Sequence, residues 1–299
     1  MSDFWSGWII VLTSANIIGC LWLVRWTMKK RSGEAAQGDV TGHTWDGDLQ
    51  EYNNPLPRWW LWLFYITLVF GCVYYVLYPG MGSFPGILGW SKAGQYDTEM
   101  AKAAEKYDPI YKQYAGVAVD DLATKGEYQE ARDMGKRLYL TYCMQCHGSD
   151  ARGSRGFPNL ADNDWLWGGT PDQIKMSIAN GRTGVMPAHS HLGAAKVADV
   201  AAYVQTLSGR EVDAVQAESG KEVFMTAGCA GCHSIDGKGM IFLGAPNLTD
   251  KTWLYGGSAG SIAKTISDGR NGVMPAHKDL LGDDKVHLLT AYVYSLSKN

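Results

Sequence analysis

A nine-residue phrase, GRTGVMPAH at residues 181–189, returns almost unchanged as GRNGVMPAH at 269–277. The repetition extends upstream and downstream. GKRLYLTYCMQCHG at 135 matches GKEVFMTAGCAGCHS at 220, with one extra residue in the second copy. PNLADNDWLWGG at 158 matches PNLTDKTWLYGG at 246, and KVADVAAYVQTLS at 196 matches KVHLLTAYVYSLS at 285. Each copy reads as a helix, a Cys-x-x-Cys-His motif, a loop with Pro-Asn-Leu, a short helix, the methionine phrase and a closing helix. The chain from residue 130 onward is therefore two similar, mainly helical modules in tandem.

Four of the six cysteines stand in these motifs: Cys143 and Cys146 before His147, and Cys229 and Cys232 before His233. Cys-x-x-Cys-His is the signature of covalent haem c attachment. Two thiols three residues apart on a helical turn add to the two vinyl groups of one haem, and the adjacent histidine reaches the iron. A four-cysteine zinc site and a redox dithiol or disulfide are the competing readings. The methionines separate them. Met186 follows His147 by 39 residues and Met274 follows His233 by 41. Zinc has little use for a thioether, whereas His/Met is an established haem ligand pair. The expectation is two covalently attached haem c groups on Cys143, Cys146, His147 and on Cys229, Cys232, His233, with Met186 and Met274 as sixth ligands.

Which methionine serves which iron is not fixed by spacing. Pairing within each module is expected, because each module would close its own core with its terminal helices. Crossed pairing through the short joining segment SGREVDAVQAES is the alternative. Closure within modules would bring Tyr139 to Tyr203 and Phe224 to Tyr292. His189 and His277 are alternative ligands or polar neighbours of the pocket. Arg182, Arg270, Trp165 and Trp253 either hold haem propionates or pack their loops. A fully ligated iron has no open position, so the modules carry electrons and have no catalytic site of their own.

The first 90 residues are of another kind. Nine of the twelve tryptophans lie there, as expected where indoles mark membrane interfaces. Residues 4–24 and 59–78 are two uncharged runs, each near the ~20 residues that cross a bilayer as a helix. Cys20 and Cys72 sit inside them as small packing residues. A signal peptide fits the first run badly, for no basic residue precedes it. Arg25, Lys29, Lys30, Arg31 and Arg58 flank the segment between the runs, which places residues 27–57 in the cytoplasm and everything after about residue 80 outside. That segment reads as an acidic, polar loop ending at Pro55 and Pro57, where any helix must stop. Haem c attachment on the far side fits the bacterial periplasm. The net charge of −3 gives no reason to expect nucleic acid as a partner.

The modules resemble class I cytochrome c domains. That resemblance implies that the carbonyls of Pro158 and Pro246 orient His147 and His233, and that the Met-Pro setting supplies the sixth ligand. The stretch WDGDLQEYNNPLPRWW at 45–60, followed by an anchor and two such modules, resembles the diheme subunit of cbb3-type cytochrome c oxidases. The family commonly has one anchor, so residues 4–24 are a second span here. The resemblance implies a membrane anchor at 1–90, a periplasmic linker or helical segment at 91–129, and cytochrome c domains at 130–210 and 211–299. It also implies the partners: a periplasmic donor cytochrome c, the monohaem cytochrome c subunit and the oxygen-reducing haem b/copper subunit, in the bacterial inner membrane. A free-standing membrane-bound shuttle, or the cytochrome subunit of a periplasmic dehydrogenase, is the alternative.

Overall fold

The structure, a computed structural model, describes residues 1–298. The chain divides into two compact units, Met1–Glu105 and Lys106–Asn299. In the first, α1 (Asp3–Thr27) and α2 (Arg58–Leu77) are 25 and 20 residues long, about 37 and 30 Å at 1.5 Å per residue. Both have a mean hydropathy of 1.9 and bury 6% and 0% of their apolar windows, so neither is the core helix of a globular fold. Pro57 ends the preceding chain where α2 begins. The Ser83 N–H donates to Ser6 Oγ at 2.9 Å, setting the chain after α2 beside the start of α1.

Between them lie two strands, β1 (Val40–Trp45) and β2 (Leu49–Tyr52), paired antiparallel with Trp45 opposite Leu49. The sequence leads to an irregular loop here, and the hairpin corrects that. Its cause is Asp46-Gly47, with φ of 50° and 91°. The loop between the paired Trp45 and Leu49 is three residues long, Asp46-Gly47-Asp48, and Asp-Gly between apolar residues is a hairpin signal. Trp45, Leu49 and Tyr52 are all exposed.

A long helix, α3 (Lys92–Lys112), leads into the second unit. There follow α4 (Val119–Thr124), α5 (Gln129–Tyr142), α6 (Met144–His147), α7 (Pro171–Asn180), β3 (Arg182–Met186) and α8 (Ala194–Leu207). The second copy supplies α9 (Ala214–Thr226), α10 (Cys229–His233), α11 (Ala259–Asp268), β4 (Arg270–Met274), α12 (Lys278–Leu281) and α13 (Asp283–Leu296). Local chemistry sets several starts. Thr170 and Gln173 form a reciprocal capping box on α7 with Pro171 at its first turn, and Ser258 caps α11.

The packing exchanges the closing helices. α8 lies on α9 and α11, whereas α13 lies on α5 and α7. One core joins Tyr139, Ile174 and Ile178 of the first copy to Val286, Leu289 and Val293 of the second. The other joins Val197, Val200 and Tyr203 to Phe224, Ile262 and Ile266. Tyr139 meets Tyr292, with ring centroids 5.5 Å apart, and Phe224 meets Tyr203 at 5.3 Å. The expectation that each copy closes its own core is thereby corrected. The connection from α8 to α9 spans only 208–213, and helices joined by so short a loop pack as antiparallel neighbours. α4 is built into the same structure: Leu122 is fully buried with Leu288 and Ala291, and His287 Nε2 lies 2.9 Å from the Val117 carbonyl.

Candidate haem-binding sites

The exchange brings the methionine phrases together. β3 and β4 pair antiparallel, symmetrically about Gly184 opposite Gly272, with Arg182 opposite Met274 and Met186 opposite Arg270. Alternation along β3 turns Arg182, Gly184 and Met186 inward and exposes Val185. The two methionines stand at opposite ends of the ribbon, about 14 Å apart at ~3.4 Å per residue.

Each methionine faces the histidine motif of the other copy. Met274 packs in the core that holds Tyr139, Cys143, Leu160 and Trp165. Met186 packs in the core with Cys229, Leu248 and Trp253. Backbone bonds fix both crossings: the His277 N–H donates to the Ile178 carbonyl at 3.0 Å, and the His189 N–H to that of Ile266 at 2.9 Å. The crossings need bare backbone. A Cβ on Gly269 would fall 2.5 Å from the Met186 carbonyl oxygen, and one on Gly181 would overlap that of Met274.

Below the methionines, the short helices α6 and α10 present the cysteines and histidines. Cys143 and Cys229 are half-buried, Cys146 and Cys232 are exposed, and all four are free thiols. Burial pushes the Cys143 thiol up to about 11, with a smaller contribution from Cys146, and raises Cys229. A redox dithiol needs the opposite shift. Among the described residues no group of three or more Cys, His, Asp or Glu could hold a metal ion, which removes the four-cysteine zinc reading.

His147 and His233 are buried, and burial holds both below the usual imidazole range, so they are neutral. Each places Nδ1 by a carbonyl, His147 at 3.0 Å from Pro158 O and His233 at 3.1 Å from Pro246 O. A carbonyl only accepts, so Nδ1 carries the proton and Nε2 keeps a free lone pair. That is the tautomer a metal ligand requires. His277 lies close enough to His147 to lower it further, in keeping with the crossed arrangement. His189 is half-buried and turns its Nδ1 to the Pro187 carbonyl at 2.8 Å.

Among the described residues, three buried polar atoms have no protein partner: Trp253 Nε1, Arg270 Nε and His277 Nδ1. Orphaned buried polar atoms are costly, and Trp253 Nε1 and Arg270 Nε, both on the side of Met186, call for acceptors from a bound group. Haem fits: its propionates supply acceptors for Trp253 and Arg270, and its apolar ring suits the surrounding aliphatic core. In the first copy Arg182 Nε does find a partner, donating to Ser177 Oγ at 2.9 Å, while Trp165 lies on Gly169 as Trp253 lies on Gly257.

Known families match both the anchor and the repeated region of the chain. The family described as the N-terminal domain of cytochrome oxidase-cbb3, FixP, matches residues 37–85. The family described as cytochrome c oxidase, cbb3-type, subunit III, matches residues 130–204 and 215–293. The cbb3-type cytochrome c oxidase subunit CcoP of Rubrivivax gelatinosus is 45% identical over 302 residues, covering 100% of this chain and 98% of its own length. The subunit FixP of Azorhizobium caulinodans is 41% identical over 86% of this chain and 92% of its own length. The CcoP of Rhodobacter capsulatus is 38% identical over 90% of this chain and 99% of its own.

Proposed function

Because this chain belongs to the CcoP/FixP family of cbb3-type cytochrome c oxidase subunits, we propose that it passes electrons through two covalently attached haem c groups. One is held by Cys143, Cys146 and His147 with Met274, the other by Cys229, Cys232 and His233 with Met186. The observation that carries this reading is the shared core of each cysteine-histidine motif with the methionine of the other copy. Haem c supplies reversible one-electron chemistry. The chain's own residues do the rest. His147 and His233 offer a neutral Nε2 oriented through the Pro158 and Pro246 carbonyls. Met186 and Met274 arrive on a paired ribbon that limits their movement between redox states. Apolar side chains around Tyr139 and Phe224 keep water out. With a histidine and a methionine for each iron, no position would be left for a substrate, and the bound group would serve to carry electrons only.

The anchor helices hold the subunit in the membrane. Orientation rests on the basic cluster Arg25–Arg31, which keeps the hairpin in the cytoplasm and the haem modules in the periplasm. Electrons then come from a periplasmic donor cytochrome c. They leave to the monohaem cytochrome c subunit and the oxygen-reducing haem b/copper subunit of the oxidase. The match over 37–85 favours this role over a free-standing shuttle. Purifying the tagged chain in detergent tests it. The expected product contains two haem c per chain together with haem b and oxidises a reduced cytochrome with oxygen. Haem c alone would favour the shuttle.

A further inference from the structure

Trp167 and Tyr255 occupy equivalent places in the two copies, in WLWGG and WLYGG. The Arg182 guanidinium lies 4.9 Å from the centroid of the Trp167 ring, and Arg182 stands opposite Met274 in the ribbon. The ring edge also lies on Gly244, where a side-chain carbon would overlap the indole. Gly244 is two residues before Pro246, the carbonyl partner of His233. Tyr255 repeats the pattern. Arg270, opposite Met186, lies 4.3 Å from its centroid. A Cβ on Gly156 would stand 3.5 Å from the Tyr255 ring, and the Gly156 N–H donates to the Leu254 carbonyl at 2.9 Å. Gly156 is two residues before Pro158, the partner of His147. Each ring thus touches the methionine strand of its own copy and the histidine loop of the other copy.

The tips of the histidine loops are exposed: Ile241, Phe242 and Leu243 in one and Phe157 in the other. Each tip is closed by a short local bridge, Met240 to Ala245 and Ser154 to Phe157, and each base is tied by a backbone bond, Leu248 N–H to the Gly237 carbonyl and Leu160 N–H to that of Ala151, both 2.7 Å. We propose that Trp167 and Tyr255 are positioning residues acting across the two copies: Trp167 holds the Pro246 carbonyl on His233, and Tyr255 holds the Pro158 carbonyl on His147. This rests on the haem-binding reading above. A bond from Nδ1–H to a carbonyl makes the imidazole a stronger donor to iron. Loosening it weakens that donation, favours the ferrous state and raises the midpoint potential of that haem.

The full-length haem-loaded protein tests this by redox titration. Cys229→Ala leaves the second haem with one thioether link and an unreacted vinyl group, so its α band moves to the red and the two haems are read apart whichever methionine each uses. In that chain Trp167→Ala is expected to raise the potential of the red-shifted haem alone, and Trp167→Phe to restore it. An unmoved red-shifted haem, a shift of the other haem, or equal shifts of both would overturn the proposal. Should Trp167→Ala give no haem-loaded protein, Tyr255→Ala decides. The first-motif haem must then move and the red-shifted one stay, and any other pattern overturns the proposal. Two haems per chain in these variants keeps the haem-binding reading intact whatever the titration returns.

Discussion

Tyr139 lies on Tyr292 with ring centroids 5.5 Å apart, at a crossing where Gly135 brings the α5 backbone onto that of α13. A Cβ on Gly135 would stand 2.5 Å from the Leu288 carbonyl oxygen and 2.7 Å from Tyr292 Cβ. Gly220 makes the matching approach of α9 to α8 at Asp199. The two copies are held as one structure by these crossings, and neither has a complete core of its own.

Gly135→Ala therefore forces the helices apart without removing any ligand. Overpacking of this kind costs about 1–3 kcal/mol. Thermal unfolding of the haem-loaded chain should show a loss of that size. The far-red band that reports methionine bonding should survive at low temperature. An unchanged melting temperature would mean that the two backbones do not meet.

Gly269 sits at φ 72° beneath the Met186 carbonyl. A side chain there is strained by its conformation, by roughly 1 kcal/mol or more, and pushes the Met186 strand outward. Gly269→Val should halve the far-red absorbance of the ferric protein by releasing one of two methionines, with both haems still attached. Full absorbance would contradict the close crossing.

The hairpin tip pairs Trp45 with Leu49, both exposed. It is proposed to contact the oxidase on the side of the membrane away from the haems. Replacing Trp45 and Asp46 by Ala should release the subunit from the complex during purification while both haems stay bound. Haem loss from an intact complex would speak against that role.

Both membrane runs, the two cysteine-histidine motifs and the paired methionine phrases were legible because each depends on local pattern: hydropathy over about 20 residues, or fixed spacing of reactive side chains. The exchange of closing helices was not. Tyr203 and Tyr292 sit at matching places in similar helices, so contacts within and between copies offer like chemistry, and exchange of equivalent elements costs little. The short link 208–213 was the available signal, since it keeps α8 beside α9. The hairpin at Val40–Tyr52 also carried a signal, Asp46-Gly47 between apolar Trp45 and Leu49. The cross-copy contacts of Trp167 and Tyr255 follow from the exchange and have no signature of their own.

Protease added to spheroplasts tests the orientation. The haem-staining fragment should be cut away and a small membrane hairpin should remain. Haem modules that survive until the membrane is opened would reverse the topology argued from Arg25, Lys29, Lys30 and Arg31.

Crossed ligation is the central claim, and a chain carrying one haem tests it most directly. With Cys229→Ala and Cys232→Ala, only Cys143 and Cys146 attach haem, and the far-red band of the ferric form reports its methionine alone. The account predicts that adding Met274→Ala abolishes the band and that adding Met186→Ala leaves it. A band lost with Met186→Ala and kept with Met274→Ala would contradict it.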